Sequence, residues 1–142
     1  MVALPQGETM YKQLIETAVK AREMAYAPYS RYRVGAALMT KEGKVYTGCN
    51  VENASYSPTN CAERTAFFKA VSEGDREFSA IAIVGGREGE ELSKNCTPCG
   101  VCRQVMTEFC DKDFKVILGT PDDYKVYTLP EVMPLSFTAT EL

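Results

Sequence analysis

The sequence contains no histidine and no tryptophan. Without imidazole there is no Ser-His-Asp triad, no Cys-His dyad and no zinc site that relies on histidine. Acid–base work near neutral pH must fall to a carboxylate, a thiol, a lysine or a tyrosine, and a metal must be held by sulfur or carboxylate. Positive charge is also scarce: 16 Lys and Arg stand against 19 Asp and Glu, a net charge of −3. Proteins that neutralise many phosphates are usually basic, so no nucleic-acid partner is expected. No apolar run approaches the length of a membrane span, so no membrane partner is expected either. The start, from Met1 to Glu8, lacks the basic and apolar regions of a signal peptide, and the expected location is the cytoplasm.

What the chain does have is cysteine, six residues in 142. Disulfides are rare in the cytoplasm, so these cysteines point to thiolate chemistry rather than staples. The length fits one domain spanning residues 1–142. Residues 1–7 read as a loose arm. Tyr11, Leu14, Ile15, Ala18, Arg22 and Ala25 recur at helical spacing and predict a helix from Glu8 to Tyr26, stopped by Pro28. Val34–Met39 reads as a buried strand, Lys41–Lys44 as a turn and Val45–Cys49 as its antiparallel partner. After a polar loop from Asn50 to Asn60, a helix is expected over Ala62–Glu73, with Gly74 as its cap. A short strand over Ser79–Val84 ends at Gly85-Gly86, and residues 87–97 form a charged loop. A helix over Cys99–Cys110 opens after Pro98. Strands Phe114–Leu118 and Lys125–Thr128 follow, then a short helix over Leu129–Met133. This order predicts a mixed sheet covered by helices.

Two segments carry chemistry: Cys61-Ala62-Glu63-Arg64, and Pro98-Cys99-Gly100-Val101-Cys102-Arg103-Gln104. Each opens a predicted helix, where unpaired N–H groups and the positive end of the dipole favour thiolates. Cys99 and Cys102 share one side of a first turn. If the two helix starts meet, three thiolates converge. Three sulfurs without imidazole favour zinc, and three protein ligands leave a fourth position open for water, the catalytic arrangement. Glu63 would take the water's proton and pass it to the substrate. Arg64 and Arg103 are placed in sequence to donate to sulfur and offset its charge. Other readings stay open. Cys96 with Cys61, Cys99 and Cys102 could make a closed four-thiolate structural zinc, and Cys99 with Cys102 could form a redox disulfide. Cys49 and Cys110 read as buried core thiols.

The two segments, with Ala27-Pro28-Tyr29-Ser30, Val34–Leu38, Gly48–Ala54 and Tyr56-Ser57, resemble the cytidine deaminases, specifically their small homotetrameric three-cysteine branch. The resemblance runs from about Leu14 to Phe137. It implies a three-layer α-β-α architecture with a mixed five-stranded sheet. It also implies one zinc per chain on Cys61, Cys99 and Cys102, with Glu63 as the proton carrier. By the same resemblance, Arg64 moderates the thiolate charge, Asn50 and Glu52 bind the ribose hydroxyls, and the Ala62 backbone contacts the pyrimidine. Tyr32 stands near the base where the branch usually has phenylalanine. Phe137 reaches into a neighbouring subunit's site, and Tyr56 helps build the interface. The implied reaction is hydrolytic deamination of cytidine and deoxycytidine, in pyrimidine salvage, by a homotetramer with shared sites. Two alternatives remain: a relative acting on another amine, such as a free base, a nucleotide or a blasticidin-like antibiotic, and a non-catalytic zinc module that mediates protein contacts.

Overall fold

The computed structural model describes residues 8–142, so the arm predicted over residues 1–7 lies outside the described residues. Five strands form one sheet in the order β2-β1-β3-β4-β5. They are β1 (Tyr32–Thr40), β2 (Val45–Cys49), β3 (Phe78–Arg87), β4 (Lys115–Thr120) and β5 (Asp123–Thr128). β3 and β4 run parallel, and the other neighbours are antiparallel. Among the described residues four α-helices accompany them: α1 (Glu8–Arg22), α2 (Ala62–Ser72), α3 (Gly100–Phe109) and α4 (Leu129–Val132). A terminal 3-10 turn, Ala139–Glu141, has no counterpart in the sequence reading.

Period-two alternation divides the strand side chains between two cores. On one face Ala37, Ala80, Ala82, Val84 and Ile117 pack against Leu14, Ile15 and Ala18 of α1. On the other, Ala36, Leu38, Ile81, Ile83, Val116 and Leu118 pack against Ala66, Phe67 and Ala70 of α2 and Met106 of α3. With both faces covered, the central strands read as continuous apolar runs rather than as alternating ones. The layers are therefore α-β-α, as expected. Phe67 anchors the second core, with its ring 5.2 Å from that of Phe78, edge to face, and 6.2 Å from that of Phe114.

Several boundaries differ from those expected, and three of them do so for a tertiary reason. The first helix stops at Arg22, not Tyr26. Glu23, Met24 and Ala25 donate to carbonyls three residues back, and the Tyr26 N–H is taken by the Asn50 carbonyl at 2.9 Å. β1 begins at Tyr32 and β3 continues to Arg87, because Tyr32, Arg33 and Val34 pair with Arg87, Gly86 and Gly85. The two glycines stay in the sheet, and their missing side chains leave room for residues 91–96 to cross them. Arg22 fastens this end of the sheet, donating to the carbonyls of Arg33 (3.0 Å) and Gly86 (2.8 Å).

Two further glycines set how closely helices lie on the sheet. A Cβ on Gly35 would collide with the Ala18 carbonyl and come within 2.5 Å of the Arg22 nitrogen. A Cβ on Gly48 would collide with the Ala62 carbonyl and come within 2.6 Å of the Ala66 nitrogen. Backbone meets backbone at both points, so neither contact can yield by a side-chain rotation. Gly35→Ala and Gly48→Ala should each cost about 3 kcal/mol, the upper end of overpacking costs. Gly100→Ala, whose Cβ would meet nothing within 4 Å, should stay within about 0.5 kcal/mol. Denaturant midpoints of the three variants check this.

Candidate metal centre and cleft

Cys61 and Cys99 are the N-cap residues of α2 and α3, both with extended backbone. The contact at Gly48 fixes the start of α2, and the crossover from β3 to β4 brings the start of α3 beside it. Cys102 follows one turn into α3. The Sγ atoms of Cys61 and Cys99 lie 3.7 Å apart, and those of Cys99 and Cys102 lie 3.5 Å apart. All three sulfurs fall within 4.8 Å of one another. A tetrahedral zinc with Zn–S bonds of about 2.3 Å has sulfur–sulfur edges of about 3.8 Å. The three thiols thus fit zinc as they stand, one ion per chain. Cys99 is exposed and Cys102 buried, so the cluster is open on one side.

Charge is arranged around the sulfurs. The Arg64 guanidinium donates to Cys61 Sγ at 3.3 Å through Nη2, while its Nε is buried without a partner among the described residues. The Cys61 thiol is held well below its ordinary range, first by the hydrogen bond from Cys102 and then by Arg64. Cys102, donor of that bond and buried, is pushed the other way. Arg103, also expected to donate to sulfur, does not. Its Nε donates to the Pro98 carbonyl at 2.8 Å and its Nη1 to the Val132 carbonyl at 2.6 Å. It lies one turn past Cys99 and clamps α3 to α4 instead.

Glu63 is 4% exposed, in the first turn of α2. Burial pushes its carboxyl up to about 7, and the neighbouring Cys61 adds to the shift. It opens onto a cleft of about 330 Å³, which Cys61, Ala62, Cys99, Asn50, Glu52 and Tyr32 also line. Asn50 Oδ1 accepts from the Val34 N–H and its Nδ2 donates to the Tyr32 carbonyl, both at 2.8 Å. Glu52 Oε1 accepts from the backbone N–H groups of Tyr29 (3.0 Å) and Ser30 (3.1 Å), and Oε2 accepts from the Ser30 hydroxyl. These bonds lower the Glu52 carboxyl, the Ser30 hydroxyl most of all. Cleft and anchoring therefore share the same two side chains.

Phe137 is 57% exposed and does not line this cleft; its carbonyl accepts from Gln104 Nε2 at 2.9 Å. Tyr56 is exposed and lines an adjoining hollow that shares Glu52 with the cleft. Cys96 is buried in the cleft wall and stands outside the sulfur cluster, so the four-thiolate arrangement is not formed among the described residues. Cys49 and Cys110 are only half-buried, not the fully buried core thiols expected. All six cysteines are free thiols, Cys99 and Cys102 among them. Asn95 and Thr97 also line the cleft. Both fall in the segment expected as a charged loop, where their nearness to Cys99 is the only signal in the sequence.

Ser substitution of Cys61, Cys99 or Cys102 should each abolish stoichiometric zinc. Cys96→Ser should retain about one zinc per chain, as a single three-thiol site requires. Elemental analysis of the purified variants checks both outcomes.

Residues 8–118 match the family model described as the cytidine and deoxycytidylate deaminase zinc-binding region. A cytidine deaminase of Halalkalibacterium halodurans is 52% identical over 132 residues, covering 92% of this chain and 96% of that protein. The crystal structure of a cytidine deaminase from Burkholderia pseudomallei superposes with a TM-score of 0.79 at 51% identity, covering 88% of this chain and 97% of that one. A blasticidin-S deaminase of Bacillus cereus is 30% identical over 129 residues, covering 89% of this chain and 91% of that protein. The three-thiol cluster lies within the matched residues, and the chain belongs to the zinc-dependent cytidine and deoxycytidylate deaminase family.

Proposed function

We propose that the chain is a cytidine deaminase that hydrolyses the exocyclic amine of cytidine and deoxycytidine, giving uridine or deoxyuridine and ammonia. The whole chain serves as one catalytic domain. The observation that carries this reading is the convergence of three thiols and one buried carboxyl on a single open cleft. The similarity to cytidine deaminases at about half identity supports the substrate. A protein that uses zinc only as a structural staple has no need of a buried carboxyl lining a cleft beside it.

When bound by Cys61, Cys99 and Cys102, zinc supplies Lewis-acid activation of water near neutral pH. Glu63 accepts the water's proton and delivers it to ring N3, then helps protonate the exocyclic nitrogen, which leaves as ammonia. Arg64 offsets the charge of the sulfurs through Cys61. Asn50 and Glu52 bind the sugar hydroxyls with the bonding capacity their backbone anchors leave free. The amide retains one N–H and one lone pair, and of the carboxylate oxygens Oε2, which accepts a single bond, retains acceptor capacity. The Ala62 backbone meets the pyrimidine, and the ring of Tyr32 packs near it. A second reading, deamination of another cytosine-bearing molecule, draws on the likeness to the blasticidin-S deaminase. Glu52 beside Asn50 favours the nucleoside, because a diol satisfies both side chains while a nearby phosphate is repelled.

Phe137 and Tyr56 expose aromatic surface and do not line the cleft of their own chain, Tyr56 standing in the hollow beside it. In the proposed homotetramer, Tyr56 builds the interface and Phe137 completes the site of a neighbouring copy. The reading places the enzyme in the cytoplasm, in the salvage of pyrimidine nucleosides.

Glu63→Gln should keep its zinc and lose ammonia release from cytidine by at least about 10²–10⁴-fold, the range of a lost general acid–base. A fully active Glu63→Gln protein would overturn the mechanism. Phe137→Ala should lower activity in step with any loss of assembly, read by sedimentation at assay concentration. A fully active monomer would sink the shared site.

A further inference from the structure

A short path of hydrogen bonds joins Asn50 and Glu52 to the sulfur cluster. The two residues flank Val51, whose N–H donates to the Asn60 carbonyl while the Asn60 N–H donates back, both at 2.9 Å. This pairing closes the neck of the loop between them, and Cys61 follows Asn60 directly. Asn60 also lines the cleft. Its Nδ2 donates to Thr65 Oγ1 at 3.1 Å. The Thr65 hydroxyl in turn donates to the Cys61 carbonyl at 3.1 Å, alongside the Thr65 N–H at 3.0 Å. One hydroxyl thus directs its proton to the residue that supplies a sulfur and a lone pair to the loop that begins at Asn50. The two helix starts differ in this respect. The Cys99 sulfur caps α3 by accepting from the Cys102 N–H at 3.5 Å, whereas Cys61 makes no such cap on α2 among the described residues. Thr65 holds the Cys61 backbone instead. Thr65 is itself seated on β2, where a Cβ on Gly48 would come within 3.1 Å of its own Cβ.

We propose that Thr65 and Asn60 are positioning residues that couple the sugar end of the cleft to its chemical end. Their hydrogen bonds keep Val51, and with it Asn50 and Glu52, in register with the start of α2, which carries Cys61 and Glu63. A hold on the sugar hydroxyls then places the pyrimidine against Glu63, so that binding remote from the reacting atoms serves the chemical step. The inference rests on the deaminase reading, with Asn50 and Glu52 on the sugar, for its substrate. The printed path from Val51 through Asn60 to Thr65 supplies its geometry. Thr65→Val keeps the shape of the side chain and removes only the hydroxyl. It leaves Asn60 Nδ2 without its acceptor and the Cys61 carbonyl with the backbone bond alone.

The experiment compares the zinc-loaded parent with Thr65→Val, Thr65→Ser, Asn60→Ala and the double variant of Thr65→Val with Asn60→Ala. On cytidine, Thr65→Val should lower kcat about tenfold through misplacement of the base, with KM within about threefold and zinc retained. On 2′,3′-dideoxycytidine, which lacks the hydroxyls that the coupling needs, kcat/KM should change by less than about twofold, because Thr65 and those hydroxyls act through one path. An equal loss on both substrates would leave Thr65 a purely structural role and overturn the proposal. Thr65→Ser restores the hydroxyl and should stay within about twofold of the parent on cytidine; a loss as large as that of Thr65→Val would count against the hydroxyl and sink the idea. The double variant should be no worse than the poorer single one, and multiplying effects would show that the two residues act separately, which also overturns it. Hydrogen exchange reads the path without turnover. The Val51 and Asn60 amides should exchange about fivefold faster in Thr65→Val, the scale of one net hydrogen bond, and unchanged exchange would refute the inference. A parent that releases no ammonia from cytidine would sink the substrate reading instead, and exchange alone then decides the coupling.

Discussion

The approach of α2 to β2 governs what this protein can do. At Gly48 the helix backbone rests directly on the strand, with a spacing that a single methyl group would break. That contact fixes the first turn of α2, and the first turn carries both Cys61 and Glu63. The start of α3 must then arrive at the same place for its two sulfurs to complete the cluster. The parallel pairing of β3 with β4 requires a crossover, and the crossover delivers Cys99 and Cys102 there. Sheet topology and the packing at a glycine thus precede any metal chemistry.

Electrostatics then decides which groups can share so small a volume. Thiolates at helix N-termini gain from the dipole and from unpaired N–H groups. Arg64 adds a guanidinium beside Cys61, leaving its own Nε buried and without a partner among the described residues. Glu63 is buried close to these sulfurs, and desolvation together with the charge of Cys61 favours its protonated form. A carboxyl poised in this way can take and return a proton without a histidine. The sequence, which has none, depends on that.

The cleft is also built economically from residues that hold the fold. Asn50 pins the edge of β1 with both ends of its amide, and Glu52 gathers the Tyr29-Ser30 turn. Side chains fixed in this way enter the cleft already ordered, so a ligand does not meet the cost of immobilising them. The wall over Gly85 repeats the pattern, with Ser93 bonding both to the sheet and within its own loop.

How much was legible in the sequence follows from what is local. Helical and strand periodicity, the helix-start context of Cys61 and Cys99, and the Cys-x-x-Cys spacing are properties of neighbouring residues. They yielded the element order, a mixed sheet covered by helices and the candidate sulfur ligands, while the three-layer α-β-α architecture and the three-cysteine ligand set were implied by the family resemblance. The absence of histidine alone restricted the metal ligands to sulfur and carboxylate. What only the tertiary structure decided involves partners far away in the chain. The Asn50 carbonyl ends α1 by capturing Tyr26, and Gly85-Gly86 stay paired because a loop crosses them. Arg103 turns to the carbonyls of Pro98 and Val132 rather than to sulfur. Cys96 follows the same rule: its spacing matched a ligand, but its place over Gly85 put it in the wall. Spacing determines which way a side chain can leave its own element. Which acceptor, cavity or sulfur it meets depends on the packing of elements that the sequence does not order in space.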